Sequence, residues 1–218
     1  MSHTVHPYSH RLGILRDWKS RWFGVDKKYR EFLKGDVLIR QYLEKKLLDF
    51  FVADIEIERS KHAIRIIIKT SRPGMIIGRN GEGMDKLKKE LKSFMIKNKI
   101  FDKDIETKVE VDEIRSPESN AKLVGLMVRD ALQKRMPFRR VLKQTVEKVM
   151  ANRDVQGVRI RIGGRLNGAD MARTEELKKG QIPLQTLRAD IDFARVRASI
   201  PQGDLGIKVW IYRGEVFN

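Results

Sequence analysis

The stretch Ser71–Gly83, Ser-Arg-Pro-Gly-Met-Ile-Ile-Gly-Arg-Asn-Gly-Glu-Gly, constrains the fold more than any other part of the chain. An Ile-rich run precedes it and a Lys-rich run follows. Gly78 and Gly81 bracket Arg79 and Asn80 in a Gly-x-x-Gly turn. Without a Cβ, glycine takes up positive φ and admits another backbone at close range, a sugar-phosphate chain included. That spacing alone fits any tight loop, so the flanking periodicities decide what the loop serves.

Upstream, Ile39, Leu43, Leu47 and Phe50 recur at helical spacing, and Gly35-Asp36 reads as the start of that helix with Asp36 as its cap. Ala53, Ile55 and Ile57, then Ile64, Ile66 and Ile68 after a turn near Ser60 to His62, alternate with charged residues as a hairpin with one buried face. A helix is predicted from about Glu82, with Met84, Leu87, Leu91, Phe94 and Met95 on one face and Lys86, Lys88, Lys89 and Lys92 elsewhere. Ile105, Thr107, Val109 and Val111 mark a third strand. A dinucleotide fingerprint needs Gly-x-Gly-x-x-Gly directly after a strand, and a phosphate loop needs Gly-Lys before Ser or Thr; neither occurs here. The order helix, strand, strand, glycine loop, helix, strand resembles the type II K-homology (KH) clamp for single-stranded nucleotides, in which Pro73 to Ile77 would form the short helix before the loop. Gly78, Arg79, Asn80 and Gly81, flanked by Arg72 and Lys86, are its candidate RNA contacts.

Ser116-Pro117-Glu118 reads as a cap, a proline in the first helical turn and an acid favoured by the helix dipole, so a second unit is expected to begin there. The expected organisation is a basic, aromatic arm over 1–35, the KH domain over 36–114 and a C-terminal domain over 115–218. Ala121, Val124, Val128, Ala131 and Leu132 mark one helix of the last domain, and Phe138, Val141, Leu142, Val146, Val149 and Met150 a second. Val158 to Ile162, Leu187 to Phe193 and Ile207 to Ile211 then alternate at a period of two. Between them Leu166 to Gln185 is broken by Gly168, Gly180 and Pro183 and supports no assignment. The fold class is α+β, with two helices packed on a mainly antiparallel sheet in the second domain. Around the second helix Arg135, Arg139, Arg140 and Lys143 form a basic cluster while Phe138, Val141 and Leu142 point inward. A solvated face would interleave more Glu, so an RNA-facing patch is the favoured reading. Asp190 and Asp192 share one side of a strand, as a metal nuclease would need, yet ion pairing with Arg188, Arg195, Arg197, Arg159 or Arg161 accounts for them more simply.

Charge points the same way. Lys and Arg number 46 against 29 Asp and Glu, a formal charge of +17 that attracts polyanions. No run of about 18 apolar residues is present, so nucleic acid is the expected partner and a membrane is not. Zero cysteines exclude disulfides, thiolate catalysis and sulfur-ligated zinc, and fit a cytoplasmic protein. In the arm, His3, His6 and His10 lack a neighbouring carboxylate and a rigid scaffold, so no metal or other cofactor is expected. Trp18, Trp22 and Phe23 among basic residues suit stacked bases and phosphates, and equally suit docking of the arm on the body.

His6-Pro7 with Arg11-Leu12-Gly13, Arg72-Pro73-Gly74 with Ile77-Gly78-Arg79-Asn80-Gly81, and Phe138-Arg139-Arg140 resemble, in order, the family of the third protein of the bacterial small ribosomal subunit. So do Gly164-Arg165-Leu166-Asn167-Gly168-Ala169, Ala172-Arg173-Thr174-Glu175, the run from Pro183 to Asp192, and Gly206-Ile207-Lys208-Val209-Trp210-Ile211. The resemblance implies a non-enzymatic protein of the subunit head. It would bind small-subunit ribosomal RNA, Arg11 included, contact neighbouring head proteins and line the channel where messenger RNA enters. There Arg135, Arg139, Arg140 and Lys143 would assist unwinding of the message. Gln144 stands where the family often has another cation, and Arg79 beside neutral Asn80 where it often has Lys. The alternative is a free-standing KH factor in transcription, RNA processing or ribosome assembly.

Overall fold

The computed structural model describes residues 5–60, 63–98, 100 and 106–217. Features expected at His3, in the turn at Lys61 and His62, and at Ile105 lie outside the described residues. The chain forms two compact units: residues 18–115, and residues 116–217 together with 5–17.

A single-turn helix, α1 (Pro7–His10), belongs to the second unit. The first unit then runs β1 (Ser20–Arg21), α2 (Asp26–Lys46), β2 (Val52–Arg59), β3 (Ala63–Thr70), α3 (Pro73–Ile77), α4 (Glu82–Lys97) and β4 (Glu106–Glu113). Its sheet has the order β1-β2-β3-β4, with β2 and β3 antiparallel and the two outer pairings parallel. Alternation along β2 and β3 buries Ile55, Ile57, Ile64, Ile66 and Ile68 against Ile39 and Leu43 of α2 and Leu87, Leu91 and Met95 of α4. Each such side chain contributes about 1.5–3 kcal/mol when fully buried, which holds both helices on one face.

Asp36 does not cap this helix. The helix begins at Asp26, and Asp36 lies in its interior, buried, accepting from Arg59 Nε at 2.8 Å and Trp22 Nε1 at 2.7 Å. Gly35 reflects close packing rather than a helix start, since a Cβ there would sit 2.5 Å from Ile100 Cγ2. The boundary expected at 35/36 therefore falls inside α2, and the expected arm is shared between the two units.

In the second unit a 3-10 turn (Pro117–Ser119) leads into α5 (Ala121–Gln133) and α6 (Phe138–Met150). The cap of α5 is Asn120, not Ser116: its Oδ1 accepts from the amides of Lys122 at 3.0 Å and Leu123 at 3.2 Å. Such a cap stabilises a helix by about 1 kcal/mol. The strands are β5 (Gly157–Gly164), β6 (Arg173–Gly180), β7 (Ala189–Ile200) and β8 (Gly203–Glu215), in the order β6-β5-β8-β7 with every pairing antiparallel. One face carries α5 and α6 over Val158, Ile160, Ile162, Ile207, Val209 and Ile211. Strand β6 occupies the stretch where no pattern was readable.

Candidate nucleic-acid interface

The Gly78–Gly81 loop is a tight link between two helices. Helix α3 ends at Gly78, at φ 72°, whose amide donates to Gly74 O at 3.0 Å. Arg79–Gly81 make a 3-10 turn with Asn80 in the left-handed region, and α4 follows directly. A Cβ on Gly83 would lie 2.7 Å from Ile76 O, so that glycine is what lets α4 start against α3. The turn leaves Arg79 and Asn80 exposed at the tip, and Arg79 has no ion-pair partner among the described residues. Lys86 is exposed one turn into α4, and its charge adds to the burial that lowers Lys46 below the usual lysine value. Arg72 is exposed as well, with its guanidinium 4.4 Å over the Phe51 ring. Arg72, Arg79, Asn80 and Lys86 thus all reach solvent around one loop.

Arg11 is placed elsewhere, and its assignment as an RNA contact is corrected. It is fully buried. Nε donates to Ala189 O at 2.6 Å, Nη1 to Pro7 O at 3.0 Å, and Nη2 to Thr186 O at 2.8 Å and Leu184 O at 3.0 Å, with Pro183 O at 3.5 Å. Its fork of donors ties residues 5–17 to the loop before β7, and its full burial closes it to a phosphate. Nearby, the His6 ring packs edge-on to Phe193 at 4.7 Å. Of the arm's aromatics, Trp22 docks, through Asp36 and the rings of Tyr29 and Phe32, whereas Trp18 and Phe23 are exposed.

The second cluster lies at the start of α6. Phe138, Val141 and Leu142 are buried, which turns Arg139, Arg140 and Lys143 outward. Pro137 precedes the helix without a side-chain cap and no acidic residue stands in the first turn. The free amides and the positive end of the dipole therefore add to the arginines instead of being offset by a carboxylate, an arrangement that favours an anion. Arg140, Lys143 and Arg135, the last at φ 60°, form no ion pair among the described residues. Two residues missed in the sequence join this cluster. Arg173 of β6 and Arg139 lie 5.8 and 5.7 Å from the Phe138 ring, and Glu175 stands between them at 3.7 and 3.6 Å. Only strand pairing brings them there, through an edge strand without apolar alternation.

Asp190 and Asp192 are structural. Arg16 binds Asp190 at 2.5 Å, and Asp192 accepts from the Ala121 amide at 2.8 Å and Arg213 Nη2 at 3.3 Å. The partners are thus Arg16 and Arg213, not the arginines considered from sequence, because a bulge in the β7/β8 register sets Arg213 beside both carboxylates. Among the described residues no three His, Cys, Asp or Glu side chains converge on a metal site, and no helix is long and apolar enough to cross a membrane.

Comparison with known proteins covers both units. The family described as "KH domain" matches residues 38–119, and the family described as "Ribosomal protein S3, C-terminal domain" matches residues 128–211. The chain is 44% identical over 216 residues to the small ribosomal subunit protein uS3 of Enterococcus faecalis, covering 99% of this chain and 94% of that protein. It is 43% identical over 218 residues to the protein of the same name from Endomicrobium trichonymphae, with 100% and 90% covered. Against that of Nitrosococcus oceani the identity is 42% over 218 residues, with 100% and 94% covered.

Proposed function

The chain belongs to the family of the small ribosomal subunit protein uS3, and from that premise we propose that it binds small-subunit ribosomal RNA and faces incoming messenger RNA with its α6 patch. The first unit takes RNA at the Gly78–Gly81 loop, with Arg79, Asn80, Arg72 and Lys86 around it. The second presents Arg135, Arg139, Arg140 and Lys143 to the message in the channel where it enters, and the remaining surface meets neighbouring proteins of the subunit head. The role needs no catalysis by this chain. Translocation would pull the message, and the patch would hold a separated strand by its phosphates. Such a protein works in the cytoplasm, where ribosomes translate.

One observation carries the reading: an uncapped helix start, free of acid in its first turn, with Arg140 and Lys143 lacking a carboxylate. Like charges at that spacing destabilise an isolated helix by about 0.2–0.5 kcal/mol per pair, a cost that a polyanion reverses. Changing Arg139, Arg140 and Lys143 to Ala in assembled ribosomes is expected to slow translation through a base-paired message more than through an unstructured one. Equal slowing on both would remove the unwinding role. Loss of the chain from small subunits in a high-salt wash would favour the free-standing factor instead.

A further inference from the structure

The face of the second sheet opposite α5 and α6 is covered at one end only. There Ile191, Phe193, Trp210 and Tyr212 cluster with Ile182 and Leu184. Beyond that cluster three cations stand in register on adjacent strands: Arg161 of β5 opposite Lys208 of β8, and Lys208 opposite Arg195 of β7. Arg161 and Arg195 are exposed and Lys208 is half-buried. Like charges directly opposite across strands destabilise a sheet. Glu176 of β6, in register with Arg161 on its other side, bonds Arg159 at 2.6 Å, and Asp204 bonds Arg197. Arg161 and Lys208 form no ion pair among the described residues, and Arg195 lies 5.5 Å over the Phe193 ring.

One step further along the strands, Gly163 faces Gly206, and Gly206 faces Arg197. Packing does not require a glycine at 206: a Cβ there would meet only Gly163 O, at 3.9 Å, and the backbone is not in the left-handed region. Glycine inside a strand costs stability and marks places where a ligand or another backbone comes close. The two glycines therefore make a floor without side chains on the two central strands, alongside the row of cations.

We propose that this face is a second RNA site, in which a sugar-phosphate backbone crosses the strands over Gly163 and Gly206 with its phosphates on Arg161, Lys208 and Arg195. The three cations span about 10 Å, two strand spacings, and a phosphate chain supplies all three from one molecule. Arginine forks also match phosphate oxygens in pairs. An acidic protein segment would need several carboxylates ordered separately to do the same. This site rests on the reading of the chain as an RNA-binding protein but is independent of the α6 patch.

The test compares the full chain with two variants, Arg161→Ser/Lys208→Ser/Arg195→Ser and Gly206→Val, for binding of a single-stranded RNA across a salt series. Arg139→Ala/Arg140→Ala/Lys143→Ala serves as the reference. The triple serine variant is expected to lower the slope of log affinity against log salt by about 2, three contacts at about 0.7 each. Gly206→Val is expected to melt as the parent does and bind several-fold more weakly. Parental slope and affinity in both sheet variants, with the α6 variant impaired, would overturn the site and leave the RNA-binding reading standing. Salt-insensitive binding by the parent would remove both. Tighter binding of polyglutamate than of RNA, lost in the triple serine variant, would overturn the site in favour of an acidic protein partner.

Discussion

The two units neutralise their cations differently. On the side of the first sheet turned away from its helices, Arg21 binds Glu58 at 2.7 Å and Glu56 at 3.2 Å, Arg65 binds Glu110 at 2.6 Å, Lys69 binds Glu56 at 2.5 Å, and Lys19 binds Asp54. On the corresponding side of the second sheet Arg161, Lys208 and Arg195 face each other and form no ion pair among the described residues, the carboxylate in register with Arg161, Glu176, being bound to Arg159. The contrast extends inside. Buried Arg59 is held by the carboxylate of Asp36, while buried Arg11 is held by five backbone carbonyls. The open face of the first sheet is thus ion-paired across its strands, whereas that of the second carries a row of three cations that form no ion pair among the described residues. A charge of +17 summed over the chain conceals that division.

The largest effects that test the division lie at Arg59 and Arg11. Burial lowers both guanidinium groups below their ordinary value, with Asp36 opposing the shift at Arg59 and Asp190 opposing it at Arg11. Arg59→Met leaves a buried carboxylate without its cation, at a cost of about 3–5 kcal/mol. Arg11→Met strips several buried carbonyls of a charged donor, each such bond contributing about 1.5–3 kcal/mol. Denaturant melts of a double variant should separate them. Adding Asp36→Asn to Arg59→Met is expected to recover part of the deficit, because it removes the stranded buried charge, whereas the carbonyls around Arg11 belong to the backbone and no second substitution removes them. No recovery in Arg59→Met/Asp36→Asn would break the comparison.

A smaller effect is expected on the open faces. Lys208→Glu sets a carboxylate between Arg161 and Arg195 and should stabilise the second unit by about 0.2–1 kcal/mol for each new cross-strand pair. The converse change in the first unit, Glu58→Lys, turns its contacts with Arg21 and Arg65 into repulsions and should destabilise by a similar amount. Thermal melts of both variants read the sign directly. Two shifts in the same direction would show that the two faces do not differ in the way the ion pairs indicate.

Elements that bury one face were legible in the sequence. The limits of α6 and the isoleucine alternation of β2 and β3 lie where the periodicities put them, and the short helix before the Gly78–Gly81 loop where the KH resemblance put it. The misreadings of Asp36 and Arg11 share one physical cause, partners that are distant in the chain. Asp36 resembles a cap because Trp22 and Arg59 cannot be seen from its neighbours, and Arg11 resembles a phosphate ligand because four of its five carbonyls lie on residues 183–189. Strand β6 pairs on one edge only and is exposed along nearly its whole length, so selection for burial wrote no alternation into it. Arg173 and Glu175 were missed with it. The α6 cations were legible because three inward apolar side chains fix which way the others point.

The smallest effect concerns one carboxylate on each sheet. Glu110 is held below the usual glutamate value, first by its hydrogen bond with Arg65. Asp204 is held below the usual aspartate value by its hydrogen bond with Arg197 and then by that from Ser199. A lowered carboxylate contributes stability that is present above its unfolded value and lost as pH falls through its folded one, so both contributions disappear in acid, below 4.5 for Glu110 and below 3.8 for Asp204. Both groups are exposed and screened, so the readout is the titration of each carboxyl by NMR rather than global stability. Arg65→Gln is expected to return Glu110 most of the way to its ordinary value, because Arg65 supplies its only hydrogen bond among the lowering influences. Arg197→Gln is expected to return Asp204 only part of the way, since the Ser199 hydroxyl still donates at 2.7 Å. Full return in both would mean that the second sheet, like the first, settles its carboxylates by cations alone, and would narrow the contrast between the units to the unpaired row.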